Sequence, residues 1–352
     1  MTENQAAADF LSKSDEAKAY LDATRAKKTL TERQINDYSE MRYGWNPINW
    51  VKLSFTKATK LPPLRKEIGK LAEQERATLL TAVINGEAPL HDVFNAHAKG
   101  IDGELDARYQ AALLRRSSAA AAMSSDFAFI ELTNQTIDVL QSAYDQADSA
   151  RTMEHFDMFS SNSGISFLSY LETSSAADAL KTAKAQMETY QQHIEKYRAD
   201  RATLTLSDHR IEGLQNSNTL DLVVDMISEF AGIFTSWDNA EKLAKAMEKL
   251  EPALGQTRDI RAKVEDAANL SALEYLNADR EVTALRQQAL SASTGITGDL
   301  RSNVMALLDI RNAATEYFKD NLKAQGTPAI TVFDESVLNA AHHFRKTPAR
   351  RL

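Results

Sequence analysis

The sequence contains no cysteine. Disulfides, thiolate metal sites and cysteine nucleophiles are therefore excluded. The compartment stays open, because a cysteine-free chain suits reducing and oxidising surroundings alike. Helix breakers are scarce, with 12 glycines and 7 prolines among 352 residues. In a helix interior Gly costs about 1 kcal/mol and Pro about 3 kcal/mol relative to Ala, so their scarcity favours long helices. Aromatic residues make up only 7% of the chain. No run of roughly eighteen uncharged apolar residues occurs, which excludes a constitutive transmembrane helix of ordinary length. The first twenty residues carry Glu3, Asp9, Asp15 and Glu16 without a sustained apolar core, so no secretory signal is expected. The expectation is a soluble protein, cytoplasmic or exported without a cleaved signal.

Recognisable chemistry is also missing. There is no P-loop, no Gly-rich dinucleotide fingerprint and no nucleophile elbow. The histidines are His91, His97, His155, His193, His209, His342 and His343, and no two of them have the i,i+4 spacing that sets a pair of ligands on one helical face. Glu-x-x-His, the repeat required by a di-iron bundle, does not occur. No catalytic residue, metal or cofactor is expected, and the chain is read as a non-enzyme. A net charge of −8 argues against general affinity for nucleic acid phosphates.

Helix periodicity is what the chain does have. A polar helix is expected over residues 2–26, and Thr31 to Gln34 reads as a capping box opening the next. Gly44, Pro47, Pro62 and Pro63 make 42–66 the least regular segment. A helix over 63–85 should stop at a turn formed by Asn85, Gly86 and Pro89. Residues 104–158 lack both Gly and Pro and predict one long helix, with a small-residue stretch at 117–125 suited to close helix contact. The cluster Ile165, Phe167, Leu168, Tyr170 and Leu171 is too short for periodicity to separate strand from helix.

The clearest signal follows. Ala176, Leu180, Ala183, Met187, Tyr190, Ile194 and Tyr197 form an a/d seam, broken by Arg201 and resumed at Leu204. Its small and tyrosine positions suit pairing within the chain better than a dedicated zipper. Pro252 and Gly255 should interrupt or kink another long helix, Gly295 and Gly298 mark a turn, and a last long helix reaches about Ala324. Ala329 to Phe333 reads as a short extended piece, ahead of a basic tail.

These elements predict an all-α fold: an elongated multi-helix bundle with long antiparallel coiled-coil helices. One elongated domain over 1–352 is expected, with the basic and aromatic segment at 42–66 and a short C-terminal appendage at 326–352.

Two segments are candidates for interaction. Arg42, Lys52, Lys57, Lys60, Arg65, Lys66 and Lys70 face a single acid, Glu67, and are interleaved with Tyr43, Trp45, Trp50 and Phe55. This pattern suits a docking surface for a protein partner or an anionic membrane, or else aromatic packing at the end of the bundle. Leu222, Val223, Met226, Ile227, Phe230, Ile233, Phe234 and Trp237 form a broad apolar helical face, suited to burial in the bundle or to a partner or membrane. The function expected is structural: assembly of helical bundles with a protein partner or with the chain's own copies. The alternative is a soluble component of an α-helical pore-forming toxin, with 119–132, 165–171 or 220–237 as the hidden membrane-active element.

Overall fold

The computed structural model describes residues 11–41, 47–97, 103–159, 163–202, 240–293, 295–324, 329 and 333. Among them the protein is all α. Six helices follow one another: α1 (Ser14–Glu40), α2 (Pro47–His97), α3 (Gly103–Phe159), α4 (Ser163–Ala202), α5 (Ala240–Ala292) and α6 (Gly298–Ala324). The apolar cluster at 165–171 lies in the first turns of α4.

Several expected breaks are absent. Thr31 does not cap a new helix. It lies inside α1, buried, and its hydroxyl donates back to the Lys27 carbonyl at 2.9 Å. Pro62, Pro63 and Pro89 lie inside α2, so 47–66 is regular helix. Each proline removes one intrahelical donor. The carbonyls released, those of Ala58, Thr59 and Asn85, belong to exposed residues, where water takes over. Asn85 and Gly86 are helical too, because flanking Val83, Glu87 and Leu90 are buried and tertiary packing overrides local propensity. Likewise α5 runs unbroken through Pro252 and Gly255. Near the C-terminus the Phe333 N–H donates to the Ala329 carbonyl at 2.9 Å; the other residues of the expected extended piece, 330–332, lie outside the described ones.

The chain divides into two compact units. Unit 1 comprises Met1–Arg116, Leu276–Gln325 and Asp334–Leu352, and unit 2 comprises Ser117–Tyr275 and Gly326–Phe333. The divisions fall inside α3 and α5, and the one in α3 coincides with the start of the small-residue stretch at 117–125.

In unit 1, α1 and α2 form an antiparallel hairpin. Buried Glu75 of α2 accepts from Arg25 Nε at 2.7 Å and Lys28 Nζ at 2.9 Å, and Lys27 pairs with Glu67 at 2.8 Å. Burial pushes the Glu75 carboxyl up, but Arg25 and Lys28 outweigh it and hold the group low. Helix α6 packs against both partners, with Lys18 paired to Asp309 and Leu307 seated on Gly86.

In unit 2, α4 runs antiparallel to α3. Ser175 bonds Gln146, Gln186 bonds Thr136, Tyr190 bonds Thr133 and Tyr197 bonds Asp126, one number rising as the other falls. All seven seam residues from Ala176 to Tyr197 are buried. The seam therefore packs within the chain. Phe129 stacks on both Tyr190 and Tyr197, at centroid separations of 5.5 and 4.5 Å. Helix α5 is also antiparallel to α3, through Arg258 to Gln141 and Ser271 to Asp126.

Two glycines in helices give opposite expectations. A Cβ on Gly86 would lie 2.8 Å from Leu307 Cδ1, whereas one on Gly255 meets nothing within 4 Å. Gly255→Ala should stabilise the protein by about 0.5–1 kcal/mol, through helix propensity and a less flexible unfolded chain. Gly86→Ala should destabilise it by about 1–3 kcal/mol through overpacking. Urea midpoints of the two variants check the pair; a neutral Gly86→Ala would show that Leu307 simply rotates away.

Candidate functional site

Three places concentrate chemistry, and the largest was not legible as a site. In unit 1, Glu87 of α2 is gripped by two guanidinium groups at once. Arg116 of α3 donates through Nη2 and Nη1 at 2.7 and 2.9 Å, and Arg286 of α5 through Nη2 and Nη1 at 2.8 and 3.1 Å. Arg311 of α6 lies 3.1 Å from Glu87 and donates to Asp279 at 2.5 Å, while Arg116 reaches Asp279 at 2.9 Å. Arg311 also donates to the Val83 carbonyl at 3.1 Å, and Arg286 Nε donates to the Tyr109 hydroxyl at 3.1 Å. The Arg286 guanidinium lies over the Phe94 and Tyr109 rings.

All five charged side chains are buried. Burial pushes the Glu87 carboxyl up, but Arg116, Arg286 and Arg311 together hold it well below its ordinary range. Asp279 is held low in the same way, burial being outweighed by Arg311 and Arg116. Burial and the Arg286 charge push half-buried His91 down. Three permanent cations thus share two ionised carboxylates. The geometry is bidentate and closed, which suits fixing four helices in register rather than turning over a substrate.

Unit 2 has a smaller cluster around Asp126. Its Oδ1 accepts from the Tyr197 hydroxyl at 2.7 Å and its Oδ2 from Ser271 at 3.0 Å, with Arg201 Nε 3.3 Å away. Arg201, which interrupts the seam pattern, therefore occupies the next seam position as a buried partner for Asp126. Burial pushes the Asp126 carboxyl up to about 6, against the pull of Arg201, Tyr197 and Ser271. A raised carboxyl stabilises the fold most below its unfolded value, and that contribution fades as pH rises through about 6. Among the described residues no group of three His, Cys, Asp or Glu could hold a metal ion, and no helix is long and apolar enough to cross a membrane.

The third place is the open end of the α1–α2 hairpin, where part of the predicted interaction segment lies. Phe55 is 70% exposed and Met41 is 43% exposed. Lys57 is half-buried and donates to the Ser39 carbonyl at 3.0 Å, and Lys60 is exposed. Trp50 and Lys52 lie in α2, but their side chains, and residues Arg42, Tyr43 and Trp45, fall outside the described ones. No side chain in 32–41 or 53–70 is fully buried, whereas Thr31 and Leu71 just inside them are. The predicted apolar face from Leu222 to Trp237 lies wholly outside the described residues. Of the other segments weighed as hidden elements, 119–132 is mostly buried in unit 2 and 165–171 is helical.

Sequence periodicity held one usable signal for the unit 1 network. Tyr275, Asp279, Val282, Arg286 and Ala289 are spaced four, three, four and three apart, so two charges sit on an otherwise apolar stripe. All five are buried. Glu87, Arg116 and Arg311 carry the same mark, at heptad spacing between Val83 and Leu90, Ala112 and Ala119, and Leu307 and Ala314, but local spacing does not say that these charges meet one another.

Comparison of the chain with models of known families, with curated proteins and with solved structures yields no match. Fold and site together define the class only: an all-α multi-helix bundle braced by buried ion pairs.

Proposed function

We propose that this chain is a non-enzymatic interaction protein that assembles through the open end of the α1–α2 hairpin. One observation carries the proposal: apolar side chains at that end, Phe55 above all, stay uncovered although both helices are long and regular. The buried charged groups support it, since their hydrogen bonds tie helix to helix. A soluble helical protein that leaves an apolar, lysine-flanked surface open has a surface suited to a macromolecular partner.

The test separates docking from folding. Phe55→Ala, measured at dilution, should change stability by less than about 0.5 kcal/mol, because the side chain is exposed. Leu64→Ala, at a half-buried position, should cost clearly less than truncation of a fully buried leucine. Leu79→Ala, in the buried part of the same helix, should cost about 2–5 kcal/mol. Phe55→Asp should then abolish assembly, whether with a partner or with further copies, in a chain of unchanged helicity. A concentration-independent loss at Phe55 or Leu64 as large as that at Leu79 would show that the end belongs to the folding core, and the proposal would fail.

A further inference from the structure

The open end of the hairpin has a charge pattern that selects its occupant. On α1, residues 32–41 carry Glu32, Asp37 and Glu40 against Arg33 alone; on α2, residues 53–70 carry Lys57, Lys60, Arg65, Lys66 and Lys70 against Glu67 alone. On the same stretches Ile35, Tyr38, Leu53, Leu61, Leu64 and Ile68 are all half-buried, with apolar surface left to cover. An acidic α1 beside a basic α2 is complementary to its own copy turned by a two-fold rotation, because the α1 of each molecule then faces the α2 of the other. We propose that this end pairs with the same end of a second copy, closing a four-helix bundle over the half-covered apolar side chains.

The inference rests on the docking proposal above and names its partner. Other occupants fit less well. An anionic lipid surface or a uniformly acidic protein would attract α2 but meet repulsion from Glu32, Asp37 and Glu40. A dimer also needs no new chemistry, since two antiparallel hairpins are the ordinary way to complete a four-helix core. The net charge of −8 opposes contact elsewhere between copies, which leaves the basic stretch of α2 as the natural point of attraction.

Sedimentation equilibrium of the full chain tests this. The expected mass at micromolar concentration is twice 39.1 kDa. Leu61→Asp with Leu64→Asp should return it to the single-chain value with unchanged helical circular dichroism. A charge-swap pair distinguishes this geometry from nonspecific association. Lys60→Glu with Lys66→Glu should dissociate the homodimer, as should Glu32→Lys with Asp37→Lys, and mixing the two variant chains should restore a dimer. A wild-type chain that stays monomeric to about 100 µM, well above ordinary dimer affinities, would overturn the pairing. So would a dimer indifferent to both charge variants. A monomer that sediments with anionic vesicles would assign the surface to lipid, overturning the pairing while leaving the docking proposal standing. A loss of monomer stability in Phe55→Ala or Leu64→Ala as large as that in Leu79→Ala would instead defeat the docking proposal itself.

Discussion

Glu87→Gln should cost unit 1 about 3–5 kcal/mol, the loss expected when one partner of a buried ion pair is removed. Glu87 is the acceptor through which Arg116 and Arg286 are both held bidentately. Glutamine keeps the shape but loses the charge and one acceptor oxygen, leaving three buried guanidinium groups to share Asp279. That is a large fraction of the 5–15 kcal/mol that typically separates a folded domain from its unfolded chain. Thermal or urea unfolding of the variant, followed through a probe placed in unit 1, measures it. A loss below about 1 kcal/mol would place the network among weak surface pairs.

The same network fixes the direction of the acid response. Glu87 and Asp279 have depressed values in the fold, so their contribution is present above the ordinary carboxylate range and is lost as pH falls through the lower folded values. Asp126 in unit 2 runs the other way, because its value is raised. Acidification should therefore weaken unit 1 through its network while Asp126 favours unit 2. In Glu87→Gln the acid-dependent part of the unit 1 loss should shrink.

Leu180→Ala with Ile194→Ala should cost unit 2 about 4–10 kcal/mol, taking about 2–5 kcal/mol for each large-to-small change in a buried site. Both side chains are fully buried on the α4 seam, two heptads apart, so the effects should add. The expected readout is loss of the cooperative transition of unit 2, with unit 1 still folded. Exchanging the exposed α4 residues Lys181 and Glu195 for Ala should change little, since surface positions are usually within about 0.5 kcal/mol of neutral. An unchanged unit 2 transition in the double variant would remove the seam from the core.

Much of the fold was legible because helix periodicity is local. The expected helix at 104–158 is α3, Gly103–Phe159, within a residue at each end, since no Gly or Pro competes inside it. The seam from Ala176 to Tyr197 was readable because heptad spacing alone determines which side chains share a face. Breaks were misjudged where a local signal met tertiary burial. Thr31 satisfies its hydroxyl inside a helix, and Gly86 and Pro89 are carried through α2 by buried neighbours.

The candidate site was legible in composition and not in geometry. Lysines around aromatic residues marked the hairpin end, but whether Phe55 packs or stands open depends on tertiary contacts that local spacing does not carry. The buried arginines show the same limit more sharply. Arg116, Arg286 and Arg311 each interrupt an apolar stripe, but nothing local shows that they meet one carboxylate, and they are separated from Glu87 by 29 to 224 positions.

The sequence by itself determined the class of structure, the long helices and the apolar seam of α4, because each depends on residues three or four positions apart. Only the tertiary structure decided which charges are buried, which helices they join and which apolar end stays open. Those outcomes depend on desolvation and on contacts between distant helices, and local spacing carries neither.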